Sequence, residues 1–300
     1  MAHQHDHGAP NFNRAFAIGV TLNLAYVAVE ATYGYLSNSL SLVADAGHNL
    51  SDVFGLLLAW GASYLVLRRP TKRRSYGWRR SSVFAALINA VVLLIAIGAI
   101  AFESIQRLGD PASVAGKTVI IVASVGILIN AVTAMMFARG RKGDLNVRGA
   151  YLHLASDAAV SAGVVIAGLV IMITDWDWLD PVVSLIIVVI IFVGSWGLLV
   201  SAVNMALDAV PEGIDPTLVE RVLLALPGVE AIHDLHIWNM STTETAMTVH
   251  LVVTEGTENN GLLERASAGL HDEFGIEHAT LQIETGDAVF ECRVVTQNTV

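Results

Sequence analysis

Long runs of hydrophobic residues fill the first two thirds of the chain, and short polar segments separate them. A helix needs about 20 apolar residues to cross the hydrocarbon core of a bilayer. Gly, Pro, Ser and charged residues, which commonly end helices, occupy the separating segments. The pattern predicts six transmembrane helices over residues 14–36, 40–67, 82–108, 114–138, 148–173 and 179–206.

The residue pattern changes after residue 210. Apolar residues then occur in short segments, some with helical spacing and others with the alternation and β-branched content typical of strands. The resulting order, α-β-β-α-β, predicts a small α+β domain after an all-α membrane bundle. The predicted elements are a helix at 217–226, strands at 230–238 and 245–253, a helix at 260–274 and a strand at 279–284.

Composition places the chain among membrane proteins. It is 54% hydrophobic and 15% charged, whereas soluble domains are about 45–50% apolar and about 25% charged. A single cysteine excludes an intrachain disulfide, and the N-terminal residues lack the pattern of a cleaved signal peptide, so the first helix is expected to direct insertion. We expect a His-containing N-terminal tail over residues 1–13, a six-span transmembrane domain over 14–208 and a C-terminal domain over 209–300.

Basic residues predict the orientation of the spans. The segment 68–80 holds seven Lys and Arg, and the segment 139–144 also holds basic residues, whereas the other turns hold none. Because basic loops remain in the cytoplasm, we expect both loops and both termini to be cytoplasmic, in a multi-pass protein of the cell (inner) membrane. We interpret the basic loops as a topology signal rather than a lipid-binding site. The C-terminal part is acidic, with fifteen Asp and Glu from Pro211 onward against three Arg.

The same short motif occurs in the second and fifth predicted spans. "LVADAGHNLSDVF" contains His48 and Asp52, and "YLHLASDAAV" contains His153 and Asp157. Residues four apart lie on one face of a helix, and two imidazoles with two carboxylates suit tetrahedral Zn²⁺. A single such pair is more often a packing hydrogen bond. Ionisable groups at bilayer depth are costly, so the repeated pair favours a metal site between the two spans.

Other polar residues lie in the predicted spans. We interpret Asp45 as a helix-start residue or a charge in an outer vestibule rather than a fifth ligand. Asn23, Glu30 and Asn130 either line a cavity or hydrogen-bond to a neighbouring helix, and the sequence leaves both alternatives open.

The motifs favour a secondary transporter that is not an enzyme. The chain contains no Gly-rich phosphate loop, Walker motif or serine elbow, which disfavours ATP-driven pumping. A membrane metalloenzyme is an alternative, but catalytic zinc keeps an open position for water and no general base is evident beside either motif. A membrane-anchored metal sensor is a second alternative, but six spans with ligands at depth exceed what an anchor needs.

Four longer stretches resemble the cation diffusion facilitator family: "SLSLVADAGHNLSDV", "YGWRRSSVFAALINA", "GAYLHLASDAAVSAGVV" and "GVEAIHDLHIWNMS". The resemblance covers nearly the whole chain. It implies six spans followed by a cytoplasmic, metallochaperone-like α+β domain, in a homodimer that exports divalent metal in exchange for protons. It implies that zinc is the main substrate, with cadmium or another divalent transition metal as a second one. It places the transport site on His48, Asp52, His153 and Asp157.

The resemblance also implies a second metal site, in the C-terminal domain, where zinc would act as a regulatory ligand. Strand histidines are commonly plain surface residues, which is the alternative to this site. We interpret His236 as a core residue rather than a ligand, and expect His271 and His278 at the surface. The implied ligands are His233, His250 and Glu284, together with Cys292, which matches a ligand used in some members.

The chain departs from the family pattern between the second and third spans. Ser82 stands where members often have Glu, and the segment 68–80 lacks the His and Asp that bind metal in some members, so no loop site is expected. The resemblance implies an ion pair that interlocks Arg80 with Asp208. The N-terminal "HQHDH" is expected to bind metal weakly and to complete a partner's site. The expected partners are metal ions, protons, the lipid bilayer and a second copy of the chain, without nucleic acid.

Overall fold

Six long helices are followed by a small α+β region in the computed structural model, which describes residues 12–138 and 145–285. The predicted fold is confirmed, from the six helices to the α-β-β-α-β order that follows them. Five of the helices, α2 to α6, contain described stretches long and apolar enough to cross a membrane. The elements are α1 Phe12–Leu36, α2 Leu40–Val66, α3 Ser81–Gly109, α4 Gly116–Phe137, α5 Leu145–Thr174, α6 Leu179–Ala206, α7 Pro216–Leu224, β1 Val229–Asn239, β2 Thr245–Val253, α8 Asn259–Phe274 and β3 Ile276–Thr285.

Residue contacts divide the chain into two compact units. The first comprises Met1–Leu57 and Asn89–Gly197, and the second comprises Leu58–Ile88 and Leu198–Val300. This division passes through α2, α3 and α6, so it does not follow the domain boundaries predicted from composition, and those boundaries stay a prediction.

The core of the first unit is made of aliphatic side chains from the long helices. Where α4 meets α5, two glycines bring the backbones close together: a Cβ on Gly116 would lie 2.9 Å from the Gly168 carbonyl oxygen, and one on Gly168 would lie 3.0 Å from Ile120. Small residues permit this close packing between membrane helices. The contact fixes α5, which carries His153 and Asp157. The buried core includes Leu42, Leu93, Ile97, Val119, Ala123, Val164, Ile171, Ile187 and Ile191.

The start of α2 is capped by an acid from another helix. Asp180, in the first turn of α6, accepts hydrogen bonds from the Leu40 and Ser41 backbone N–H groups at 2.6 and 3.3 Å. It also accepts hydrogen bonds from the Ser39 and Ser41 hydroxyls at 2.7 and 2.6 Å. The first N–H groups of a helix have no partner within the helix, and an acid at this end also complements the helix dipole. Asp180 therefore holds the start of α2, the helix that carries His48, against α6.

In the second unit, three strands form a sheet in the order β1-β2-β3. β1 and β2 are antiparallel, whereas β2 and β3 are parallel. Alternation along β2 buries Val249, Leu251 and Val253 and turns His250 to the opposite face. One face of the sheet therefore packs in the hydrophobic core with α7 and α8, and the other face is left for polar side chains.

Replacing either of two glycines in or after α8 with alanine should change the stability of this helix, in opposite directions. Gly275 ends the helix with a φ of 66° and donates its N–H to the His271 carbonyl. An alanine there adopts a strained conformation at a cost of about 1 kcal/mol, whereas Gly269→Ala within α8 is expected to stabilise the helix by about 0.5–1 kcal/mol, because its new Cβ meets only Val222 at 3.9 Å.

Amide hydrogen exchange of the full-length protein, followed by mass spectrometry, measures this difference locally. Gly275→Ala should speed exchange in α8 and Gly269→Ala should slow it. Changes of the same sign in both variants would contradict the assignment of Gly275 as the helix cap.

Candidate metal centres

The two His–Asp pairs of α2 and α5 meet in the first unit. The His48 Nε2 atom lies 3.7 Å from an Asp52 oxygen and 3.6 Å from an Asp157 oxygen. The His153 Nε2 atom lies 3.1 Å from Asp52 and 3.6 Å from Asp157. The imidazole rings are 5.9 Å apart and nearly perpendicular. Each imidazole thus faces both carboxylates, one from its own helix and one from the other.

These separations fit one zinc ion. Zinc bonds of about 2.0–2.2 Å in a tetrahedron place neighbouring ligand atoms about 3.3–3.6 Å apart. Ligand atoms of His48, His153 and Asp157 all lie within 4.8 Å of one another, and Asp52 lies 3.1 Å from His153 and 3.7 Å from His48. The Asp52 oxygen that faces both imidazoles is buried. A buried carboxylate oxygen is costly unless it is compensated, and a bound cation would add to the compensation that the imidazoles provide.

The four side chains differ in exposure. Asp157 is buried, whereas His48 and Asp52 are partly buried. His153 is exposed at the surface of the first unit. The cluster is therefore enclosed on the Asp157 side and open on the His153 side, so that an ion can reach it.

Two further acids near this cluster are buried, and the prediction for one of them is wrong. Asp45 is neither at the start of α2 nor in a vestibule: it is fully buried, and it accepts a hydrogen bond from the Ser161 hydroxyl of α5 at 3.0 Å. Glu30 accepts hydrogen bonds from the Tyr26 hydroxyl at 2.7 Å and from the Asn49 amide of α2 at 3.3 Å. Of the two alternatives for Glu30, the structure shows the bond to a neighbouring helix.

The two other polar residues of the spans have different surroundings. Asn130 of α4 is buried, and neither atom of its side-chain amide has a hydrogen-bond partner in the described part of the chain. Asn23 of α1 is partly exposed. For both residues the alternatives left by the sequence stay open.

The second unit brings together three of the four residues that the resemblance implies for the C-terminal domain. His233 on β1 pairs directly with His250 on β2, and Glu284 on β3 lies beside them. The Glu284 carboxylate is 3.0 Å from His233 Nε2 and 3.0 Å from His250 Nδ1. The imidazole rings are 4.9 Å apart. Two imidazoles and one buried carboxylate, with ligand atoms within 4.8 Å of one another, fit three positions of a zinc tetrahedron.

A β-bulge adds two residues to this face, and sequence analysis missed one of them. The register shifts between His233 and His236, and Asp234 in the shift has a φ of 55°. His236 therefore pairs with Thr248, on the same face as His250, and is exposed rather than in the core. The core prediction for His236 is therefore wrong: unbroken alternation from His233 would place His236 on the core face, and the bulge interrupts that alternation. Asp234 lies 3.0 Å from His236 and 3.7 Å from His250.

Several predicted residues lie elsewhere. Cys292 falls outside the described residues, as do the three histidines of "HQHDH". His271 and His278 are exposed, as predicted. Among the described residues the candidate metal clusters are the two above, and neither includes the segment 68–80.

The predicted partner of Arg80 is in contact with it. The guanidinium of Arg80 forms an ion pair with Asp208 in the second unit. A neighbouring pair, Arg79 with Glu244, was not predicted. The Ser82 hydroxyl accepts a hydrogen bond from the Thr242 N–H at 3.1 Å. The residues around Arg80 thus contact the C-terminal region through the predicted ion pair and through two contacts that were not predicted.

Comparison with known proteins identifies the family. A model of the cation efflux transmembrane domain matches residues 16–205, and a model of the cation efflux protein cytoplasmic domain matches residues 211–286. The chain belongs to the cation efflux family. The resemblance that the sequence motifs indicated is confirmed.

Members of the cation efflux family from several bacteria align with nearly the whole chain. The cadmium, cobalt and zinc/H(+)-K(+) antiporter of Bacillus velezensis is 31% identical, covering 99% of this chain and 98% of that protein. The metal cation efflux system protein CzcD of Cupriavidus metallidurans is 34% identical, with 94% and 89% covered. The zinc transporter ZitB of Escherichia coli is 36% identical, with 95% and 93% covered. A solved structure of the metal-bound C-terminal domain of CzcD is 38% identical over 24% of this chain and 99% of that chain, with a TM-score of 0.23.

The contacts of Glu284 with His233 and His250 predict how the stability of the fold depends on pH. Burial raises the pKa of the Glu284 carboxyl, but the hydrogen bonds from His233 and Gln282 and the charges of His233 and His250 outweigh burial and hold that pKa below its ordinary value of 4.5. A lowered folded-state pKa means that ionised Glu284 stabilises the fold above pH 4.5 and that this stabilisation is lost as the pH falls through the folded pKa. Glu284→Gln should therefore make stability fall less steeply below pH 4.5.

Denaturant unfolding of the full-length protein without metal, repeated across this pH range, measures the effect. Glu277→Gln is the matched control, because Glu277 is an exposed carboxylate on the same strand. An equal pH dependence in wild type and Glu284→Gln would show that the His–Glu contacts do not stabilise the fold.

Proposed function

We propose that this chain is a secondary transporter that exports zinc, and cadmium or other divalent transition metals, from the cytoplasm in exchange for protons. The observation that carries the proposal is the convergence of two His–Asp pairs at separations of 3.1–3.7 Å. Relatives named as a zinc transporter and as a cadmium, cobalt and zinc/H(+)-K(+) antiporter support it.

The transport site consists of His48, Asp52, His153 and Asp157. Zinc accepts nitrogen and oxygen ligands in a tetrahedron, whereas manganese and other hard ions prefer more oxygens in six-fold coordination. Two imidazoles in a set of four therefore favour zinc over manganese. The four ligands replace the hydration shell that the ion loses inside the membrane.

Protons compete with metal for the same four groups. Zinc needs neutral imidazoles and ionised carboxylates, so each proton that binds to one of these groups weakens metal binding. When the site faces a more acidic medium, protons displace the metal and are carried inward as the site returns. The cycle exchanges zinc out for one or more protons in and needs no ATP.

The geometry disfavours a metalloenzyme. Catalytic zinc has three protein ligands and an open position for water, whereas the proposed site has four protein ligands. A sensor would need only the C-terminal cluster, and the buried ligands of α2 and α5 would then have no role.

The basic segments support an orientation with both termini in the cytoplasm, in the inner membrane of the cell. The C-terminal domain then faces the cytoplasm, where His233, His250 and Glu284 bind zinc as a regulatory ligand. The family model that matches residues 211–286 is named for a dimerising cytoplasmic domain. That name supports a homodimer in which the two C-terminal domains pair. Arg80 and Asp208 interlock the segment after α2 with the segment after α6.

A pH gradient alone should drive zinc in sealed vesicles that contain the protein. With the acidic side at the predicted outer face and the voltage clamped, zinc is expected to accumulate at that face against its own gradient. A protonophore should abolish the accumulation. Accumulation that survives the protonophore would exclude proton exchange as the energy source.

Asp157→Ala tests the site in the same assay. It removes the most buried ligand, so zinc uptake should be lost while the protein stays folded. Glu103→Gln is the control, because Glu103 is also a carboxylate of a long helix but is paired with Arg107. Normal uptake by Asp157→Ala would refute this ligand set.

Replacing His48 with Asp should weaken selectivity. The variant offers one imidazole and three carboxylates, so discrimination of zinc against manganese should fall by about tenfold or more. Competition between the two metals during uptake measures the ratio, with His278→Asp as a surface control. An unchanged ratio would mean that His48 does not set selectivity.

Regulatory zinc should draw the two C-terminal domains of the dimer together. Fifteen acids from Pro211 onward repel across a symmetric interface, and bound cations lower that repulsion. A spin label on Ser267→Cys, in a background with Cys292→Ser, reports the distance between domains. The distance should shorten with zinc and lengthen with chelator, and the response should vanish in His250→Ala. A distance that is the same with and without zinc would contradict the proposed regulation.

A further inference from the structure

A second group of acids lies buried between α1, α2 and α5, and the four proposed metal ligands do not include it. Glu30 and Asp45 are both fully buried, and their carboxyl groups lie within hydrogen-bonding reach of each other. Neutral groups donate hydrogen bonds to both acids. Tyr26 and Asn49 donate to Glu30, and Ser161 donates to Asp45.

Two adjacent carboxyl groups that are buried away from water do not both ionise in the absence of a nearby cation. Like charges at short range in a medium of low dielectric repel strongly, and one of the pair keeps a proton. One oxygen of Asp45, Oδ1, is buried without a hydrogen-bond donor among the described residues. A proton on Glu30 supplies the missing donor, because a protonated carboxyl can donate as well as accept.

Asp180 provides a contrast in the same unit. It is also buried, but it accepts hydrogen bonds from two backbone N–H groups and two hydroxyls. Several donors stabilise the ionised form of a carboxylate. Burial alone therefore does not distinguish Glu30 and Asp45 from Asp180. The distinction is that Glu30 and Asp45 each have another acid beside them and that one oxygen of Asp45 has no hydrogen-bond donor among the described residues.

We propose that Glu30 and Asp45 form a proton-binding carboxyl pair that holds one proton at neutral pH and releases it when metal binds at the neighbouring cluster. The pair is adjacent to that cluster along two helices: Asp45 precedes His48 by three residues, and Ser161 follows Asp157 by four, so each lies one turn from a ligand. The second half of the proposal rests on the proposed transport function.

The groups facing the pair explain the direction of the coupling. Tyr26 faces it from α1, Asn49 and His48 from α2, and Asp157 from α5. From α4, the Val122 backbone carbonyl contacts the Tyr26 hydroxyl. A divalent cation held by Asp157 and His48 favours ionised acids nearby. The shared proton then leaves the pair, and the pair carries two negative charges while the metal stays bound.

Infrared spectroscopy of the full-length protein in lipid, at neutral pH and without metal, tests the pair directly. The carbonyl stretching band of a protonated carboxyl is expected in wild type and should be lost in Glu30→Gln, whose amide copies the protonated acid and still donates to Asp45. Asp45→Asn should shift or remove the band, because it changes the partner of the proton. Asp180→Asn, the control, should leave it unchanged.

The proposed pair is overturned if wild type shows no such band, or if either Glu30→Gln or Asp45→Asn leaves the band unchanged. A water molecule would then be the hydrogen-bond donor to Asp45. This measurement does not depend on zinc transport, so it separates the failure of the pair from the failure of the proposed function.

Calorimetry of zinc binding in buffers of different ionisation enthalpy tests the coupling. It counts the protons released per zinc ion, and Glu30→Gln should release fewer, by up to about one. Protons released at the C-terminal cluster cancel in the comparison. If Glu30→Gln binds zinc and releases as many protons as wild type, the coupling is refuted. If Glu30→Gln binds no zinc, the same count with Asp45→Asn decides the coupling, and proton release as large as in wild type refutes it.

Discussion

The mutual compensation of imidazoles and carboxylates between α2 and α5 is the interaction on which the first unit depends. Each of these groups is costly inside a membrane protein when it stands alone. Together, at 3.1–3.7 Å, the imidazoles and carboxylates partly neutralise one another. In the proposed site, a divalent cation would take up the compensation that these contacts leave incomplete.

The surrounding contacts hold the two helices that carry the ligands. Asp180 caps α2 from α6, and the close approach of Gly116 and Gly168 packs α5 against α4. Neither contact touches the ligands, yet each constrains a helix that carries them: Leu40 lies about two turns before His48, and Gly168 lies about three turns after Asp157. A displacement of about 1 Å is enough to disrupt a coordination tetrahedron, so these contacts are part of the site in physical terms.

The C-terminal region builds a similar ligand set from strands instead of helices. There the cross-strand pairing of His233 with His250 replaces the i, i+4 spacing, and Glu284 completes the set from β3. The bulge in β1 turns His236 and Asp234 to the same polar face. Helical spacing is visible in a sequence, but a register shift is not, which is why the His48 and His153 pairs were recognisable from spacing and the role of Asp234 was not.

The sequence by itself determined the elements and the ligand types. Hydrophobic run length and periodicity depend only on local residue order, and the HxxxD spacing places each pair on one helix face whatever the rest of the chain does. Only the tertiary structure decided which helices meet, that Asp45 and Glu30 are buried beside each other, that β1 bulges at Asp234 and that Arg79 pairs with Glu244. Those contacts join residues far apart in the chain, and their energies depend on burial and on neighbours from other elements, which local residue order does not encode.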